Sequence, residues 1–222
     1  MKTLSRKTIL GFAGAAVILA VSTAPAQGQS TLELYNTGES DTGTLLPGGS
    51  ADPHYEVVET GNDAVVLSES SMPVPPWMAN GPDSKWIYLT DSRSPTAGTW
   101  NFRTTVDLTG YDLASVFING RWTVDNFAIG LFLNGVLVPS TRITDVGTSW
   151  HSYALSGGFT SGVNTFDFSV TGDGTTDGFR NEFLTSGGKM APATGVVPEP
   201  VTMALLGTGL AGLAGARRRR KK

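Results

Sequence analysis

Three acidic residues, Asp173, Asp177 and Glu182, fall within the stretch TGDGTTDGFRNE and are separated by glycines. Hard carboxylate oxygens clustered on a flexible loop are what Ca²⁺ takes as ligands. The spacing differs from that of an EF-hand loop, and Asp-Gly turns between strands account for the same residues without any metal. Ca²⁺ is therefore the one candidate cofactor, and no other is expected. A second group has the chemistry of saccharide recognition, in which an aromatic face covers the apolar side of a sugar ring and fixed polar groups orient it. Its members are Trp77, within SESSMPVPPWMANGPDS, and Trp122, Asp125 and Asn126, within RWTVDN. The competing assignment makes Trp77 a lid packed inward, Trp122 a core residue and Asp125-Asn126 a simple turn.

Catalytic constellations are scarce. His54 and His151 are the only histidines, and there is no cysteine, so thiol nucleophiles, disulfides and zinc-thiolate sites are excluded. No G-x-S-x-G elbow, H-E-x-x-H pair or phosphate-binding loop occurs. Asp125 or Asp145 could be put forward as one of a pair of glycosidase carboxylates, but any acidic β-domain offers such pairs by chance. The expectation is a protein that is not an enzyme.

The elements that must position these residues read as strands. GTWNFRTTVDL alternates Trp100, Phe102, Thr104, Val106 and Leu108 on one face with Asn101, Arg103, Thr105 and Asp107 on the other. NTFDFSV repeats the pattern with Phe166, Phe168 and Val170 inward. Period-two runs between Gly, Asn, Asp and Pro clusters are the mark of half-buried antiparallel strands. Asn134-Gly135 between two apolar runs predicts a two-residue hairpin, and Asn119-Gly120 predicts either a second hairpin or a bulge in one long strand. The proline-rich stretch 68–84 is a long connection, the kind that forms a rim or covers a sheet. The fold class that follows is all-β, a β-sandwich or barrel.

Both ends of the chain differ from this middle. Lys2, Arg6 and Lys7 precede an apolar run from Ile9 to Val21 and an Ala24-Pro25-Ala26 pattern, which together make a secretory signal peptide cleaved after Ala26. At the other end, residues 201–216 are small or apolar and would make a helix about 24 Å long, a short membrane span. Pro198, Glu199 and Pro200 suit a helix start. Arg217, Arg218, Arg219 and Arg220, with two lysines, would hold the end on the cytoplasmic side. Between these ends there are seven basic and eighteen acidic residues, a net charge of −11, where the whole chain carries −3. Such a domain repels nucleic acid and anionic lipid.

The order Val197-Pro198-Glu199-Pro200, apolar stretch, arginine cluster resembles the PEP-CTERM sorting signal of Gram-negative bacteria. What the resemblance implies is an inner-membrane precursor, exported through the secretion translocon, whose tail is removed by an exosortase before release to the cell surface or extracellular matrix. LLPGGSADPHYEVV, PWMANGPDSKWIYL, GTWNFRTTVDL, INGRWTVDN, LFLNGV, GGFTSGVNTFDFSV and DGFRNEF also resemble, in that order, phrases of exported PEP-CTERM proteins. For those a galactose-binding-like jelly roll is expected, so the resemblance implies a jelly-roll β-sandwich. The expected organisation is a signal peptide at 1–26, an N-terminal segment at 27–44, the sandwich at 45–185, a linker at 186–196 and the sorting signal at 197–222. The expected function is a non-enzymatic surface or matrix protein that binds extracellular polysaccharide, with a purely structural matrix component or a glycan-active hydrolase as alternatives.

Overall fold

The computed structural model describes residues 28–191, residue 205 and residues 207–210. The signal peptide, the Val197–Pro200 motif and the arginine cluster lie outside the described residues, as does most of the expected span at 201–216. Leu205 and residues 207–210 are helical, and among the described residues no helix is long and apolar enough to cross a membrane. Residues 27–192 form a compact unit of their own.

That unit is all-β. Its eleven strands are β1 (Gln29–Ser30), β2 (Ala51–Val57), β3 (Asn62–Val66), β4 (Ile87–Tyr88), β5 (Gly98–Asp107) and β6 (Tyr111–Asp125), then β7 (Phe127–Leu133), β8 (Val136–Leu137), β9 (His151–Leu155), β10 (Val163–Gly172) and β11 (Gly178–Met190). They join in one antiparallel ladder in the order β8-β7-β10-β5-β2-β3-β4-β11-β6-β9, with β1 added beside β11. The ladder folds over on itself as a sandwich, because rings from strands far apart in that order touch. Trp122 on β6 lies 5.2 Å from Phe168 on β10, and Phe179 on β11 lies 4.9 Å from Phe168 and 5.1 Å from Phe102 on β5. Each phenylalanine fully removed from water contributes about 2 kcal/mol, and Phe102, Phe166, Phe168 and Phe179 are all completely buried.

The alternation read from the sequence places the core. Phe102, Thr104, Val106 and Leu108 point inward, and Thr105 and Asp107 outward, while Trp100 is only half-buried near the start of β5. Asn134 and Gly135 make the expected hairpin between β7 and β8, both with positive φ (52° and 78°), the geometry of a type I′ turn. Asn119-Gly120 turns nothing. It lies inside the single fifteen-residue strand β6, and the extra residue sits opposite, on β11 between Phe183 and Thr185. Gly120 is required there by close approach: a Cβ would come within 2.9 Å of the Glu182 carbonyl oxygen and closer still to the Tyr153 ring.

The sandwich extends beyond the boundaries expected from composition. β1 begins it at Gln29, and β11 runs through residues 186–190, which the sequence marks as the start of a linker. Gly187 and Gly188 read as linker composition but serve packing. A Cβ on Gly188 would meet the Tyr111 ring at 2.9 Å and Val116 at 3.0 Å, and one on Gly187 would meet the Gln29 side chain at 3.1 Å.

Candidate functional site

The structure brings Trp77, Asp125, Asn126, Asp173 and Asp177 to one corner and leaves Glu182 elsewhere. The proline-rich connection turns Trp77 inward, so that it is 3 % exposed and its ring centroid lies 4.4 Å from that of Trp86. Gly147 and Gly178 form the slot that admits it: a Cβ on either would lie 3.0 and 2.6 Å from the Trp77 ring. Trp77 Nε1–H donates to Asp125 Oδ2 at 2.6 Å. Asp125, at the end of β6, is 9 % exposed, and its other oxygen, Oδ1, is buried with no hydrogen-bond partner. Burial pushes this carboxyl up to about 6; the Trp77 N–H pulls it down, and Asp177 and Asp173 push it up again.

Asp177 closes the turn between β10 and β11. Its Oδ1 accepts the Asp173 backbone N–H at 3.0 Å and the Asn126 amide at 3.4 Å, and its Oδ2 accepts the Gly174 N–H at 2.9 Å. Burial raises its pKa against the pull of the two backbone donors. Asp173 points to solvent and accepts the Thr175 N–H and hydroxyl. Glu182 lies on β11 in a different network. Its Oε1 accepts from the Ser84 hydroxyl (2.6 Å) and Arg180 Nη2 (3.2 Å), and its Oε2 accepts from Arg121 (2.6 Å). Asp173, Asp177 and Glu182 therefore do not converge. Among the described residues no three acidic or histidine side chains are arranged to hold a metal ion.

The saccharide contacts expected at Trp77 and Trp122 are not at the surface. Trp122 is wholly buried against Phe168 and Phe179, and Trp77 is the inward lid. Both belong to the interior because each presents a large apolar ring to a strand face that alternation already makes the core. Asn126, half-buried, donates its backbone N–H to the Thr171 carbonyl.

Asp145, Ser149 and His151 lie together at the surface and have the composition of a hydrolytic triad. His151 Nε2 faces Asp145 Oδ1 at 2.6 Å, and Ser149 Oγ lies 3.5 Å from that same nitrogen and donates to Asp145 Oδ2. A triad relay needs the acid and the nucleophile on opposite ring nitrogens, so this cluster ties a loop together instead. Although burial alone would raise it, the Asp145 carboxyl is held below its usual range by the Ser149 hydroxyl and His151. Nearby, the partly exposed Trp150 ring carries the guanidinium carbons of Arg121 and Arg180 at 4.5 and 4.8 Å from its centroid, a cation–π arrangement above the Glu182 network.

Sequence reasoning missed a pocket between the N-terminal segment, β2 and β5. It encloses about 300 Å³ and is lined by Glu33, Tyr35, Pro53, His54, Thr104, Thr105, Val106 and Asp107. Tyr35 and His54 stack in parallel with centroids 3.6 Å apart. The Tyr35 hydroxyl donates to Glu33 Oε1 at 2.8 Å. His54 Nε2 is buried without a hydrogen bond, 3.4 Å from Asp41 Oδ1. Burial lowers the imidazole's pKa while Asp41 acts against it, so the ring is neutral near pH 7. Behind it, Asp52 accepts the Gly38 and His54 backbone N–H groups at 2.6 and 3.0 Å, and burial pushes its carboxyl up to about 7. The signal in the sequence was the placement of Asp52, His54 and Tyr55 on one strand, but β2 is irregular between Ala51 and Glu56 and its burial loses strict alternation there.

The described residues thus define an acidic, disulfide-free β-sandwich. Residues 196–220 match the PEP-CTERM protein-sorting motif, which takes in Val197, Pro198, Glu199, Pro200 and the four arginines. The chain is a secreted protein that is anchored to the membrane before processing, sorted for export by an exosortase. No curated protein matches it in sequence.

Proposed function

We propose that the mature chain is a surface or extracellular-matrix protein whose sandwich holds polysaccharide without catalysing a reaction on it. The observation that carries this reading is the pocket at Tyr35. One face of that ring is fixed against His54, so the exposure Tyr35 retains belongs to its other face and edge. Glu33, Thr104 and Thr105 line the concavity with it. An immobilised aromatic with polar groups in a shallow concavity is the usual chemistry for a pyranose ring. The network of Asp145, Ser149 and His151 supports a binding rather than a hydrolytic role, since its nitrogen and oxygens are committed to one another.

The mature protein, purified from its own culture, should be retarded in affinity electrophoresis through the exopolysaccharide of the same cells. Tyr35→Ala should move at the speed seen without polysaccharide. Equal mobility of wild type with and without polysaccharide would reject the reading in favour of a structural component, and release of reducing ends during the run would reject its non-enzymatic part.

A further inference from the structure

The pocket at Tyr35 is chemically one-sided. Of its eight lining residues two are carboxylates, Glu33 and Asp107, and none is a lysine or arginine. A third carboxylate, Asp41, stands beside His54. Glu33 uses one oxygen on the Tyr35 hydroxyl, and Asp107 uses one on the backbone N–H and hydroxyl of Thr109. Each keeps a second oxygen that makes no hydrogen bond within the described residues. Burial disfavours the charged form of His54, the one basic side chain at hand, and no lysine or arginine lines the pocket to balance these charges.

A ligand that fits must therefore supply positive charge together with an apolar face for the Tyr35 ring. An ammonium over the face of a tyrosine gains from the ring quadrupole, and an ammonium beside carboxylates gains from each charge-assisted hydrogen bond to them. An anionic uronate would meet only repulsion. The volume, about 300 Å³, suits one or two sugar units. We propose that this pocket is a subsite for an amine-bearing saccharide, a hexosamine unit whose free ammonium lies between Glu33 and Asp107 while its ring face rests on Tyr35. The proposal rests on the polysaccharide-binding reading and narrows its ligand class.

The test is calorimetric titration of the mature protein at pH 6, where a sugar ammonium is protonated, with three β-1,4-linked tetrasaccharides of glucosamine, N-acetylglucosamine and glucose. The glucosamine tetramer should bind at least tenfold more tightly than the other two, and its affinity should fall with added salt. Glu33→Gln, which leaves the Tyr35 contact an oxygen acceptor, should weaken it at least fivefold. Tyr35→Phe should weaken it modestly, and Tyr35→Ala should abolish it. Asp83→Asn, an exposed acid that does not line the pocket, controls for diffuse attraction to an acidic domain. Equal binding of all three tetramers, lost in Tyr35→Ala, would overturn the amine preference and leave polysaccharide binding standing. No binding by any of them, with no retardation in the native exopolysaccharide, would sink both. A loss in Asp83→Asn equal to that in Glu33→Gln would overturn the site.

Discussion

Replacing Trp77 by phenylalanine tests the corner at Asp125 and has a magnitude that depends on pH in a defined direction. The substitution keeps a ring in the slot made by Gly147 and Gly178 but removes the Nε1–H donor to Asp125 Oδ2. Because Oδ1 already lacks a partner, the carboxyl is then left with no hydrogen bond at either oxygen. A bond to a charged acceptor contributes about 1.5–3 kcal/mol and one to a neutral acceptor about 1 kcal/mol, and the smaller ring adds about 1 kcal/mol of lost packing. In the folded protein Asp125 titrates at about 6, well above an unfolded aspartate. Below that pH it is a neutral acid that still accepts the indole N–H; above it the group is ionised and depends on it. Since Trp77 lowers the Asp125 pKa, its removal raises that pKa further, and the cost of the substitution grows as pH rises through 6. Trp77→Phe should therefore destabilise the protein by about 2 kcal/mol at pH 4.5 and about 3–4 kcal/mol at pH 8. Urea unfolding followed by far-ultraviolet circular dichroism at the two pH values measures this, and the other titrating carboxyls cancel because they are common to both proteins. In an Asp125→Asn background the difference between the two pH values should vanish. A cost independent of pH in the wild-type background would refute the argument.

Asp52 should dominate the pH dependence of stability above pH 6. Its folded value of about 7 lies above the unfolded value, so it favours folding at low pH and that contribution is lost as pH rises toward and through 7. The loss between pH 6 and 8 should be about 1.4 kcal/mol, absent in Asp52→Asn, and an unchanged slope in that variant would exclude the assignment. At the C-terminus, intact-mass measurement of the secreted protein should show loss of the first 26 or so residues and of the tail near Val197. Glu199→Ala should let the precursor enter the export route yet hold it in the inner membrane. Finding Arg217–Lys222 on the mature wild-type protein would contradict processing.

Strand character and its polarity were legible where one physical rule acts alone. Phe102, Val106, Phe166 and Phe168 are inward because a strand buried on one face must alternate, and Asn134-Gly135 reverses the chain because both residues accept positive φ. The corner was half legible: Trp77, Asp125 and Asn126 do meet, but through the interior. A tryptophan framed by prolines gives no local sign of which way it faces; that is decided by Gly147 and Gly178, distant in sequence. Asp173, Asp177 and Glu182 are close in the chain yet belong to two networks. Asp177 lies in the turn before β11, whereas Glu182 lies within it, drawn to Arg121 and Ser84 from other segments. The Tyr35 pocket depends on Glu33 and Tyr35 meeting His54 and Asp107 from three separate segments, and no spacing encodes such a meeting.

β11 has a place in time as well as in space. It is the last strand among the described residues, and it pairs with β1, β4 and β6, so β1 has no strand partner until β11 exists. A chain growing from its N-terminus therefore carries a ladder that cannot close while residues 178–190 are still missing, and contacts of such long sequence separation form slowly. The sorting motif begins at residue 196, only a few residues behind the strand that completes the fold. The strand that completes the sandwich and the motif that marks the chain for sorting are therefore neighbours in sequence.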